Sequence, residues 1–162
     1  MSTGCLDKEG EIDLKSVQEI LSGLPASSSK NVNLTFHRAF DVAQDPWKAA
    51  ETIQKLGFTK ILTSGQEKNA FLGIKLIQQL QSKFPQLGIM PGGGINESNL
   101  KQILQETEVK EFHASARSTQ PSLMAFQNTK CKMGSDSTEY SIQVTDPEKV
   151  RTLIRIYNEV VK

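Results

Sequence analysis

Val32-Asn33-Leu34-Thr35-Phe36-His37 alternates its side chains and is rich in strand formers, and a little further on Asp45-Pro46 stands directly before an amphipathic stretch at 47–56. Period-two alternation predicts a strand. An acidic cap followed by proline in the first turn predicts a helix start. The same strand-then-helix unit recurs three times: 60–63 then 69–84, 87–91 then 96–105, and 109–115 followed, after a longer excursion, by 146–161. Strands alternating with helices at this period imply parallel pairing through right-handed crossovers.

Upstream, Ile12, Val17, Ile20, Leu21 and Leu24, with Asp13 able to cap, predict a short amphipathic helix over 12–24, ended by Pro25-Ala26-Ser27-Ser28-Ser29. No strand precedes it beyond the stub Thr3-Gly4-Cys5-Leu6. One helix followed by four βα units, in a single domain over 1–162, reads as a (β/α) barrel entered midway. The chain is well short of the roughly 250 residues of a closed eight-stranded barrel. A complete small open sheet of four parallel strands fits the same periodicity.

Charge and composition exclude several classes of function. The formal net charge is +1 and Lys and Arg are spread among Asp and Glu, so no basic field favours nucleic acid or an anionic membrane. No apolar run is long enough to span a bilayer, and Met1-Ser2-Thr3-Gly4-Cys5 lacks both a basic start and an apolar run, so a cytoplasmic protein is expected. Cys5 and Cys131 are far apart and are expected as reduced thiols.

In parallel βα folds, function collects at the C-terminal ends of the strands. Here both histidines of the chain, His37 and His113, fall on that edge, in Thr35-Phe36-His37-Arg38-Ala39-Phe40-Asp41 and Phe112-His113-Ala114-Ser115-Ala116-Arg117. Alternation puts Thr35 and His37 on one face of their strand and His113, Ser115 and Arg117 on one face of theirs. Imidazole can act as acid, base or metal ligand, and arginine can clamp an oxyanion. His37, His113 and Arg38 are therefore the candidate catalytic groups.

Gly92-Gly93-Gly94 lies between a strand and the Asn96 cap, where consecutive glycines either form an anion-binding nest or only make a tight turn. On the first reading Gly92, Gly93, Gly94, Ser115 and Arg117 bind the anion. Soft sulfur ligands suit Cu(I), which makes Cys5 and Cys131, the latter beside Met133 with Met124 nearby, the candidate metal ligands.

Four strand-end blocks, 35–41, 62–66 (Leu62-Thr63-Ser64-Gly65-Gln66), 90–96 (Met90-Pro91-Gly92-Gly93-Gly94-Ile95-Asn96) and 111–117, resemble the copper homeostasis protein family CutC in order and spacing. The stretch 6–13 is similar to that family's loop after its fourth strand, and the tail around Tyr140-Ser141 and Val144-Thr145-Asp146 resembles animal members. The resemblance implies the C-terminal half of a TIM-type barrel. It also implies a cytoplasmic protein, partly nuclear in animal members, that self-associates and binds Cu(I). The first strands of the family's pattern have no counterpart here, and Ala114 stands where related chains can carry Cys. The expected function is Cu(I) binding or buffering. The alternatives are an enzyme, or its remnant, acting on a small phosphorylated or carboxylated metabolite, and a non-functional truncated form.

Overall fold

The computed structural model describes residues 1–24, 32–128, 130 and 140–161. Four short strands, β1 (Ser2–Thr3), β2 (Thr35–Phe36), β3 (Lys60–Thr63) and β4 (Gly88–Pro91), form a parallel sheet in that order. The register sets Ser2 against Thr35, Thr35 against Lys60 and Lys60 against Gly88. Helices α1 (Leu14–Ser22), α2 (Pro46–Lys55), α3 (Ile74–Lys83), α4 (Leu100–Thr107) and α5 (Pro147–Val160) complete the βα pattern. The strand stub ahead of α1 thus does pair, through Ser2–Thr3, so that helix is not the orphan the sequence suggests. Leu6 instead bridges Ile12 in antiparallel fashion.

The helices bury one face of the sheet. Phe36, Ile61 and Ile89 join Val17, Ile53, Ile77, Ile103 and Ile156 in one apolar core. Their strand neighbours Lys60, Leu62 and Met90, pointing the other way by alternation, remain half-buried. Among the described residues the sheet does not close on itself.

Capping explains where the helices begin. Asp45 and Asp146 each accept two N–H groups at the starts of α2 and α5, and each is followed by proline. Asp13 caps α1, and the Ser16 hydroxyl and backbone N–H hold its carboxyl below the usual carboxylate range. Two helices start four or more residues later than their periodicity predicts. α3 begins at Ile74 rather than 69 because 65–73 turns tightly, with the Gly65 and Gly73 backbones in close approach. α4 begins at Leu100 rather than 96: Asn96 accepts from the N–H and hydroxyl of Ser98, and Asn99 accepts from the Asn96 N–H, side-chain bonds that compete with a helical turn. The expected terminator 25–29 lies outside the described residues.

The expected strand at 109–115 shrinks to one parallel bridge, Gly92 to His113, with the His113 N–H donating to the Pro91 carbonyl at 2.8 Å. Pro91 has no N–H to offer on the side facing this segment, so the ladder cannot extend toward Glu111. The long excursion is an antiparallel hairpin, β5 (Arg117–Pro121) with β6 (Ser141–Thr145), closed at its base by Arg117 opposite Thr145. α5 follows directly and packs on α4. Its Tyr157 hydroxyl donates to the Lys110 carbonyl at 2.8 Å.

Candidate functional site

The strand ends carry a polar arc whose centre is Asp41. A short 3-10 helix, Arg38–Val42, follows β2 and turns Asp41 back toward the end of β3. There its carboxylate accepts from the Thr63 hydroxyl, the Ser64 N–H (2.9 and 3.0 Å), the Ser64 hydroxyl (3.0 Å) and the Gln66 N–H (3.3 Å). Thr63 and Ser64 are fully buried, and the Asp41 side chain is 7% exposed. The Thr63 oxygen in turn accepts the Gly65 N–H at 2.8 Å. The whole turn after β3 is thus organised by a carboxylate from the turn after β2.

Arg38 lies across the top of this arrangement. Its Nε donates to Asp41 at 2.6 Å and its Nη2 to the Ser64 hydroxyl at 2.8 Å, while the side chain stays 45% exposed. Nη1 comes to 3.0 Å from where a Cβ on Gly93 would be. Gly93 and Gly94 have φ of +98° and +72°, so the chain bends where a side chain would be both strained and obstructed. A Cβ on Gly92 would meet Leu62 at 2.6 Å and the His113 ring nitrogen Nδ1 at 3.7 Å.

The two histidines are kept apart. His37 caps the 3-10 helix, its Nδ1 accepting the Ala39 N–H at 3.1 Å, and it lies against Gly4. His113 is exposed beside Gly92, three strand positions away across the sheet order. At the usual strand spacing that is roughly 14 Å, too far for both to act on one small group. Asp41 orients neither of them.

Ser115 and Arg117 are exposed at the base of the hairpin. The Ser115 carbonyl accepts from the Thr145 hydroxyl, and the Arg117 carbonyl accepts from Lys149 Nζ at 3.0 Å. The arginine the structure brings to the glycines is Arg38. Cys5 is a free, half-buried thiol packed against the core, while Cys131 and Met133 lie outside the described residues. Met124 is exposed in the loop beyond β5. Among the described residues no three His, Cys, Asp or Glu side chains gather as a metal site, and no helix is long and apolar enough to cross a membrane. A surface groove between Trp47, Gln78, Lys83 and Glu108 lies between helices and carries none of the histidines, cysteines, arginines or glycines singled out above.

Asp41 and Ser64 did not stand out as site residues in the sequence. A weak signal was there: Arg38 and Asp41 are spaced i,i+3, and Thr63-Ser64 is a polar pair at the end of an apolar strand.

A family model described as the CutC family matches residues 1–118. The chain is 44% identical over 161 residues to the copper homeostasis protein cutC homologs of Mus musculus and of Homo sapiens, an alignment covering 97% of this chain and 57% of each relative. A family protein CutC of Parabacteroides distasonis is 42% identical over 154 residues, with 93% of this chain and 61% of the relative covered. The chain therefore spans less than two thirds of the length of the curated relatives it matches.

Proposed function

Because the chain belongs to the CutC family, we propose that it serves copper homeostasis, with Cu(I) as an exchangeable cargo. The observation that carries this reading is the near-complete alignment, at 44% identity, with animal relatives named for copper homeostasis. Cu(I) prefers soft ligands and tolerates low coordination, so thiols are the groups to test. Cys5, near the strand ends and half-buried, supplies one; Cys131 is the other thiol of the chain. A cytosolic buffer must release its metal to partners, and a site with few ligands does so more readily than a closed cage.

Cu(I) titration of the reduced chain against a competing chelator is expected to show binding that the Cys5→Ser, Cys131→Ser double variant loses by about tenfold or more. Equal affinity in the two proteins would overturn the assignment to sulfur.

In this reading the parallel sheet is one wall of a (β/α) barrel. The half-buried face bearing Lys60, Leu62 and Met90 is the inner one, and a second copy of the chain covers it. A barrel wall fills its core from the opposite side, which supports this. Sedimentation is expected to give a dimer. A monomer that unfolds cooperatively would overturn it.

A further inference from the structure

We infer that Arg38, fixed by Asp41 and Ser64 over the Gly93–Gly94 bend, is an oxyanion clamp for a small phosphorylated or carboxylated ligand, a site separate from any copper ligand. The guanidinium is committed on one side and free on the other. Nε and Nη2 are taken by Asp41 and Ser64, whereas Nη1 donates to no described residue and lies nearest the glycines. A planar fork held in this way loses little freedom on meeting a second oxyanion.

The Asp41 charge does not cancel this capacity. Its oxygens are occupied by donors from Thr63, Ser64 and Gln66 and face inward at 7% exposure, while the arginine faces out at 45%. Beside the guanidinium, Gly93 carries no side chain to cover Nη1, and Gly94 packs against the Asn69 side chain. The N–H groups of Gly94 and Ile95 donate to no described residue. Backbone donors beside a fixed arginine at a bend of consecutive positive φ favour an anion. His113, on the other side of Gly92, stands where it can meet the remainder of the ligand.

The probes are inorganic phosphate and acetate, titrated calorimetrically into the full chain with a Cu(I) chelator present, so that the result is independent of the copper reading. Wild type is expected to bind one of the two, which identifies the oxyanion class. Arg38→Ala is expected to weaken binding by about tenfold or more, and Arg38→Lys, which keeps the charge but not the fork, to recover only part of it. Circular dichroism of each variant confirms that it is folded. The inference is overturned if neither anion binds wild type, or if either folded variant binds as wild type does.

Discussion

Gly73→Ala is expected to destabilise the chain by about 3 kcal/mol or more and to loosen the strand-end site with it. Gly73 has an ordinary φ of −87°, so its backbone conformation would accept alanine. The obstacle is contact: the added Cβ would lie 1.9 Å from the Ser64 carbonyl oxygen and 2.8 Å from the Gly65 Cα. Both neighbours are backbone and cannot rotate aside. Relief requires moving Ser64, the residue that anchors Arg38. Gly23→Ala is the matching control, since Gly23 is αR and its nearest neighbour stands at 3.4 Å. Thermal unfolding of the two variants checks the expectation. Equal melting temperatures for Gly73→Ala and wild type would show that the α3 entry can relax at no cost.

The second large effect is expected at Asp41. Its replacement by Ala strips the partner from the Thr63 hydroxyl and from the Ser64 and Gln66 N–H groups, in a turn where Thr63 and Ser64 are fully buried. Each buried donor left unpaired costs about 1–3 kcal/mol. Water entering from the exposed Arg38 side offsets part of this, leaving a net loss of about 3 kcal/mol, or about 6–12 °C in Tm for a domain of this size. Arg38→Ala, which removes an exposed partner and leaves the carboxylate its other donors, is expected to cost far less. Chemical denaturation of both variants separates the two roles. If Asp41→Ala is no less stable than Arg38→Ala, the carboxylate is not what holds the turn after β3.

What the sequence made legible depended on how local the cause was. β3 falls at 60–63 as expected, and α2 and α5 begin within a residue of their Asp-Pro signals, because a cap and a strand pattern act over neighbouring positions. The edge bearing both histidines was legible for the same reason. The late start of α3 was not, because it depends on Gly65 meeting Gly73 across a turn. The failed strand at 109–115 needed knowledge of which side of β4 Pro91 faces. The role of Asp41 was not legible, since its partners, 22 to 25 positions away, become neighbours only when β2 and β3 pair.

The β5–β6 hairpin closes before α5 begins, with Arg117 opposite Thr145 and the Asp146 N–H bonded to the Ala116 carbonyl at 2.8 Å. Ala116, just ahead of β5, and Asp146, the cap of α5, are therefore joined directly across the base of the hairpin. Closing a longer loop costs only about 0.6 kcal/mol per doubling of its length. Added length between Ser122 and Tyr140, which a backbone hydrogen bond of 2.7 Å already holds together, is thus expected to leave the docking of α5 on α4 in place.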